Sequence, residues 1–124
     1  MEIVRRYNEA LARYGELQLP VQRPGIESAW HLYSVRLNLD RLTIDRARFI
    51  EELRLRNIGT SVHFIPLHIQ PYYRDRYGFE PDHYPVAYHN YLRLVTLPLN
   101  QRMTDSDIDD VVEAVGDVIK KHRR

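Results

Sequence analysis

The chain contains no cysteine, which excludes disulfides and thiolate metal ligands. Lysine is almost as scarce, because all the lysine and arginine positions are arginine except Lys120 and Lys121 in the terminal sequence IKKHRR. We expect these two residues to lie at the frayed end of a helix. Chemistry that needs a buried lysine with a shifted pKa therefore has no candidate inside the fold.

The chain also lacks an excess of charge of either sign and a long apolar run. Its 18 lysines and arginines against 17 acidic residues give a net charge of +1, so nothing favours nucleic acid or an anionic membrane as a partner. No segment is apolar enough to span a bilayer, and the mixed first residues do not form a signal peptide. We predict a cytoplasmic protein that binds neither nucleic acid nor membrane.

Glycine-rich and catalytic motifs are missing as well. The five glycines are scattered singly, and no Ser-His-Asp set or P-loop is present. What the chain does have is 124 residues with 44% hydrophobic content, enough for one domain with one core. By itself this domain looks incomplete as an enzyme.

Apolar periodicity and turn residues predict the order of elements. In chain order we first predict a helix over residues 3–14 that ends before Gly15, a surface loop over 16–29, a strand over 31–37 and a helix that begins at Thr43 and ends near 57–59. We then predict a short strand over 60–64, a mobile or partly helical excursion over 73–91, a strand over 92–97 and a final helix after Thr104. This order predicts an α+β fold, a small and mainly antiparallel sheet with helices packed on one face.

Two of the helices carry finer predictions. In the second helix we expect Ala47, Ile50 and Leu53, with Phe49 beside them, to form the apolar side. The last helix should begin with a capping box, and a stripe of apolar residues should face the core. The box is Thr104 with Asp107, and the stripe is Ile108, Val111, Val112, Val115, Val118 and Ile119.

The segment that ends the short strand, IGTSVHFIPLHIQPYY, combines histidines, prolines and aromatic residues. If Val62 and Phe64 face the core, then His63 faces outward or into a cleft, as a surface histidine or as a ligand-binding one. His63 and His68, with His83 or His89, match no metal-binding spacing, because Pro66 prevents a shared helical face. We predict no metal site.

The excursion is rich in tyrosine, a residue favoured where one end of the side chain is dry and the other wet. The rings either form an interface or simply cover the sheet; the tyrosines are Tyr72, Tyr73, Tyr77, Tyr84, Tyr88 and Tyr91. Arg93, placed in the following strand, either meets a carboxylate or protects the sheet edge in solvent.

Three blocks carry a family resemblance. SAWHLYSVRL (28–37), RNIGTSVHFIPLHIQPYYR (56–74) and LVTLPLNQRMTDSDIDDVVEAV (94–115) resemble, in order and spacing, the C-terminal part of the DegT/DnrJ/EryC1/StrS family. These are nucleotide-sugar aminotransferases that depend on pyridoxal phosphate (PLP). The resemblance covers nearly the whole chain.

The resemblance implies that two domains with different roles form the complete enzyme. Members of the family have the fold of aspartate aminotransferase (fold type I), in which a large domain holds PLP and its lysine and a small C-terminal domain closes over the substrate. Residues 1–124 would be the small domain, with the large PLP-binding domain absent and no cofactor bound by the fragment alone. The complete enzyme, expected to be a homodimer, would take an amino group from glutamate and transfer it to a keto nucleotide-sugar, in a pathway that makes polysaccharide or glycan precursors.

The resemblance also implies where substrate is bound. The block that contains GTSVHFIPLH lies near the mouth of the active site in the family, so His63, Phe64 and His68 are the candidate substrate-binding residues. None is expected to be catalytic. Family members usually carry tyrosine where this chain has Phe64, so the hydrogen bond that such a hydroxyl would make is lost here. The alternative function is a non-catalytic protein-interaction module that uses the tyrosine-rich face.

Overall fold

The computed structural model describes residues 2–124 and contains three strands, five α-helices and three short 3-10 helices. The helices are α1 (Glu2–Leu11), α2 (Arg46–Arg54), α3 (Pro71–Tyr77), α4 (Pro85–Arg93) and α5 (Asp105–His122), and the strands are β1 (Leu17–Gln18), β2 (Tyr33–Leu37) and β3 (Leu94–Leu97). The strands form one antiparallel sheet in the order β1-β2-β3. The predicted α+β class is therefore confirmed.

The hydrophobic core lies on one face of this sheet. Because side chains alternate along a strand, Tyr33, Val35 and Leu37 of β2 all point into the core, as the period of two predicted. The sheet places Val95 opposite Val35 on the same face. The helices α1, α2 and α5 pack against this inner face and supply most of the remaining buried residues, namely Val4, Tyr7, Leu11, Phe49, Leu53, Ile108, Val111, Ala114, Val115, Val118 and Ile119.

Helix α5 begins as predicted. The Thr104 hydroxyl accepts a hydrogen bond from the Asp107 amide, and the Asp107 carboxylate accepts one from the Thr104 amide. The apolar stripe is also present, except that Val112 is only partly buried. Lys121, expected at a frayed end, is instead held by Glu52.

Loss of this cap gives the first testable prediction. Thr104→Ala should lower the free energy of unfolding by about 1 kcal/mol, because one amide at the start of α5 loses its acceptor. Urea denaturation followed by circular dichroism measures the change. Ser106→Ala, at an exposed position in the same turn, is the matched control and should be nearly neutral. Equal losses for the two variants would contradict the capping role.

Helix α2 begins two residues later than predicted. Its N-cap is Asp45, whose carboxylate accepts a hydrogen bond from the Arg48 amide at 2.8 Å. Thr43 does not cap this helix, because its amide and its hydroxyl both donate hydrogen bonds to the carbonyl of His122. Ala47 is exposed rather than part of the apolar side.

Several other boundaries differ from the prediction. Helix α1 ends at Leu11, before Gly15, and the predicted surface loop contains the two-residue strand β1. No strand forms over 60–64, because only Ser61 finds a backbone partner, Thr96 at the free edge of β3. Arg93 is the last residue of α4 rather than part of a strand, and the excursion forms the two helices α3 and α4.

Glu52 is the buried charge that the sequence did not reveal. Its side chain is only 2% exposed and lies 2.7 Å from the Arg48 guanidinium, 3.0 Å from that of Arg56 and 3.2 Å from the Lys121 ammonium. Hydrogen bonds from Arg56 and Lys121 lower the pKa of Glu52 to about 2. The ionised carboxylate thereby ties α2 to the last turn of α5.

Candidate functional site

The sheet face opposite the core, here called the outer face, is polar. It carries Ser34 and Arg36 from β2, which alternate with the buried residues of that strand, and Thr96 from β3, which is itself only 5% exposed. Ser34 and Thr96 lie opposite each other, and their hydroxyl oxygens are 2.8 Å apart. The outer face therefore presents hydrogen-bonding groups without disturbing the core.

His63 joins this face from the neighbouring loop. Its Nδ1 lies 3.1 Å from the Thr96 hydroxyl, so His63, Thr96 and Ser34 form a continuous hydrogen-bonded chain. His63 and Thr96 border a cavity of about 200 Å³ that His31 and Thr60 also line. Within residues 2–124 the buried Thr60 hydroxyl has no hydrogen-bond partner, so the cavity contains an unused polar group.

Phe64 does not face the core. Its side chain is 69% exposed, and its ring packs edge-on against that of His63, with the centroids 4.7 Å apart. The peptide bond between His63 and Phe64 is cis. The structure thus brings His63 and Phe64 together on the surface, which excludes the interior position that a core-facing strand would give Phe64.

His68 lies in different surroundings. It is only 7% exposed, its Nε2 is 2.9 Å from the carbonyl oxygen of Pro81, and its ring is 4.9 Å from that of Tyr84. It lines an apolar cavity of about 380 Å³ together with Pro66, Leu67, Tyr73, Phe79, Tyr84 and Ala87. His68 therefore packs against aromatic residues of the excursion and is not part of the hydrogen-bonded chain on the outer face.

No side chain of the tyrosine-rich helices α3 and α4 is fully buried. Tyr72 is 65% exposed, and its ring packs edge-on against Tyr73, which in turn stacks with Tyr77. Tyr88 and Tyr91 of α4 are partly buried. The exposed rings Tyr72, Tyr73, Tyr77 and Tyr84 form a surface, here called the tyrosine face.

One feature of the outer face was missed by sequence reasoning. Arg36 of β2 and Arg93 of α4 both donate hydrogen bonds to the side-chain oxygen of Asn90. The alternation of β2 places Arg36 on the outer face, but only the fold brings α4 beside it. No local pattern in the sequence connects residues this far apart.

Residues 2–124 bring together no group of three histidine, cysteine, aspartate or glutamate side chains that could hold a metal ion. Lys121 is bound to Glu52, and Lys120 lies one residue away in the same turn of α5, so neither lysine is on the outer face. The residues of this chain therefore do not fit a PLP site of their own. In this part of the chain no helix is long and apolar enough to cross a membrane.

Comparison with known proteins gives consistent matches over almost the whole chain. Protein MJ1066 of Methanocaldococcus jannaschii is 45% identical over 122 residues, which are 98% of this chain and 32% of that protein. The spore coat polysaccharide biosynthesis protein SpsC of Bacillus subtilis is 41% identical over 120 residues, 96% of this chain and 31% of SpsC. The chain thus spans about a third of the length of the curated relatives that it matches.

A solved structure and a family model agree with these relatives. Spr1654 from Streptococcus pneumoniae, assigned as a sugar aminotransferase and solved in its PMP form, superimposes with a TM-score of 0.87 at 30% identity. The match covers 97% of this chain and 30% of Spr1654. The sequence model of the DegT/DnrJ/EryC1/StrS aminotransferase family matches residues 1–116. The chain therefore belongs to the DegT/DnrJ/EryC1/StrS aminotransferase family.

Proposed function

We propose that this chain is the C-terminal, substrate-closing domain of a PLP-dependent aminotransferase. The complete enzyme takes an amino group from glutamate and transfers it to a keto nucleotide-sugar that serves polysaccharide or glycan precursor synthesis. Family membership, the relative named for spore coat polysaccharide and the resemblance to Spr1654 support this proposal. The large PLP-binding domain and the second subunit of a homodimer lie outside these 124 residues.

The cofactor in this proposal belongs to the large domain. Spr1654 has been solved in a PLP form, which supports PLP as the cofactor of the complete enzyme. Lys121 of this chain pairs with the buried Glu52. If Lys121 bound the cofactor instead, the Glu52 carboxylate would have one partner fewer. The contribution of this chain is to bind and orient the sugar and to exclude water from the closed site.

The observation that carries the proposal is the placement of His63 and Phe64. Both lie in a loop that borders the outer face, away from the core. With Nδ1 near Thr96, the Nε2 atom of His63 has no hydrogen-bond partner among residues 2–124 and is available to a sugar hydroxyl. The exposed ring of Phe64 supplies apolar contact area beside it. His68 enters the same proposal through the apolar cavity that it lines.

The second prediction tests this role in the complete enzyme that contains the chain. His63→Ala should lower kcat/KM for the nucleotide-sugar by about threefold to tenfold, the value of one hydrogen bond, and leave the thermal unfolding temperature nearly unchanged. Steady-state kinetics with the sugar as the varied substrate measures the effect. His89→Ala, at an exposed histidine of α4, is the matched control and should retain wild-type kinetics.

Phe64→Tyr completes this test. Because the ring is exposed, the added hydroxyl should be tolerated without loss of stability, and it should restore the hydrogen-bonding group usual in the family. Wild-type kinetics for His63→Ala would remove His63 from the substrate site. A large loss of stability in Phe64→Tyr would contradict the surface position of the ring.

A second candidate function is a non-catalytic interaction module that docks another protein through the tyrosine face. The observation that favours it is the exposure of Tyr72 and its neighbours on helices that contribute nothing to the core. The two functions differ in what precedes the chain in its gene. A reading frame that continues upstream into a lysine-bearing domain supports the aminotransferase, whereas a native protein without such a domain supports the module.

A further inference from the structure

The loop over residues 60–64 is hydrogen-bonded to Thr96 of β3 through both its backbone and a side chain. The amide of Ser61 donates to the carbonyl of Thr96 at 3.1 Å, and the amide of Thr96 donates to the carbonyl of Ser61 at 2.7 Å. Two residues further on, His63 Nδ1 lies 3.1 Å from the Thr96 hydroxyl oxygen. Thr96 therefore fixes the path of the loop with its backbone and contacts the His63 ring with its side chain.

The Thr96 hydroxyl has one proton to donate and two neighbours that can accept it. One neighbour is His63 Nδ1, and the other is the hydroxyl oxygen of Ser34 at 2.8 Å. Because Thr96 is buried, water has little access to this hydroxyl. A ring nitrogen that accepts a hydrogen bond carries no proton of its own. The direction in which Thr96 donates therefore decides which nitrogen of a neutral His63 ring is protonated.

The direction of this hydrogen-bonded chain follows from Ser34. Among residues 2–124 the only hydrogen-bond partner of its hydroxyl is Thr96. The next side chain on the same face of β2 is Arg36, whose guanidinium donates hydrogen bonds but cannot accept them. One arrangement gives both hydroxyl protons an acceptor in the protein. In it Ser34 donates to Thr96, and Thr96 donates to His63 Nδ1.

We propose that Thr96 is a positioning residue for His63, because its donation to Nδ1 keeps the ring in the tautomer with the proton on Nε2. His63 then presents an N–H donor, and its partner is an oxygen that accepts, such as a sugar hydroxyl or a keto oxygen. A group that only donates, such as an ammonium, is not bound there. The statement about substrate rests on the proposed function, whereas the tautomer is a property of this chain alone.

A purely structural role for the hydroxyl is the competing explanation. A hydrogen-bonded hydroxyl stabilises a fold without any part in binding, as Thr43 does by donating to the carbonyl of His122 at 3.0 Å. In that case replacing Thr96 would lower stability but would not move the proton on His63. The two explanations therefore differ in a spectroscopic measurement.

The experiment, our third prediction, reads the tautomer from the ring-nitrogen chemical shifts of the isotope-labelled chain in mildly alkaline buffer. Comparison with His63→Ala identifies the His63 signals among those of the six histidines. In the wild type, Nδ1 should give the shift of an unprotonated nitrogen and Nε2 that of a protonated one. In Thr96→Val the ratio of this tautomer to the other should fall by about threefold to tenfold, the value of one hydrogen bond. Thr96→Ser keeps the hydroxyl and should restore the ratio.

Thr43→Val is the matched control, because it removes one hydroxyl hydrogen bond elsewhere in the fold and should leave the His63 shifts unchanged. Ser34→Ala should leave Nε2 protonated, since Thr96 then has only His63 as an acceptor. A wild-type ring with its proton on Nδ1 would overturn the proposal, and this measurement needs no Thr96 variant. The same tautomer ratio in wild type and in folded Thr96→Val would also overturn it.

Kinetics of the complete enzyme separate this proposal from the proposed function. Thr96→Val should lower kcat/KM for the nucleotide-sugar by no more than His63→Ala does, and it should add nothing when residue 63 is already alanine. A changed tautomer with wild-type kinetics in both single variants would support the positioning by Thr96 and would remove His63 from the substrate site. Losses that add in the double variant would overturn an effect of Thr96 through His63.

Discussion

Replacing Phe49 with alanine is expected to lower the free energy of unfolding by about 3–5 kcal/mol, the usual loss for a fully buried phenylalanine. The Phe49 ring is 0% exposed and belongs to the core cluster between α2 and the inner face of the sheet. The substitution removes the ring from a core that also contains Leu53, and the neighbours can only partly fill the cavity. Since a domain of this size is stable by about 5–15 kcal/mol, the variant should unfold at a much lower denaturant concentration.

Leu55→Ala is the control for this substitution. Leu55 follows the last residue of α2 and is 61% exposed, so its loss should change the unfolding free energy by no more than about 0.5 kcal/mol. Urea titration of both variants by tryptophan fluorescence and circular dichroism provides the comparison. A small effect for Phe49→Ala would mean that α2 does not pack as described.

Gly116→Ala is the second substitution with a large expected effect, and its sign depends on two opposing contributions. Alanine in the interior of α5 is worth about 1 kcal/mol in helix propensity. However, a Cβ atom at position 116 would lie 2.3 Å from the hydroxyl oxygen of Tyr14 and 3.2 Å from the carbon that bears it. Tyr14 is buried, so relieving this overlap disrupts packing at a cost of about 3 kcal/mol. We expect a net loss of about 2 kcal/mol.

A double substitution separates the two contributions. Tyr14→Phe removes the hydroxyl oxygen that makes the closest approach, so Gly116→Ala should cost much less in the Tyr14→Phe background. Gly59→Ala is the control, because a Cβ there meets nothing within 4 Å. Equal losses with and without the Tyr14 hydroxyl would show that the contact is not the cause.

The parts of the fold that could be predicted are those that depend on residues close together in the sequence. The alternation of β2 and the capping box of α5 each lie within a few neighbouring residues, and both are confirmed. The N-cap of α2 could not be decided locally, because Thr43 and Asp45 are both suitable residues and a contact with His122 determines which one is used. Residues 60–64 have the composition of a strand, yet only Ser61 has a neighbouring backbone to pair with.

In the candidate site, too, features set by neighbouring residues could be predicted, and contacts between distant residues could not. The family resemblance singled out His63 and Phe64 as neighbouring candidates on a predicted strand, and the structure instead puts both in a loop beside the outer face. The burial of His68 depends on Pro81 and Tyr84, which the excursion brings back over it, and no spacing in the sequence indicates this return. The convergence of Arg36 on Asn90 is a contact between elements distant in sequence, which period and composition cannot reveal.

The attachment of the last turn of α5 has a consequence for proteolysis. The sequence KKHRR offers the residues after which trypsin-like proteases cut, but these proteases require a segment that can extend into their cleft. Lys121 is held by Glu52, Arg123 pairs with Leu42, and the Arg124 amide donates to the carbonyl of Arg41. Arg23, by contrast, lies in an exposed loop with few contacts. Such a protease therefore meets a more accessible site near Arg23 than at the basic end, which is protected for as long as α2 and α5 stay together.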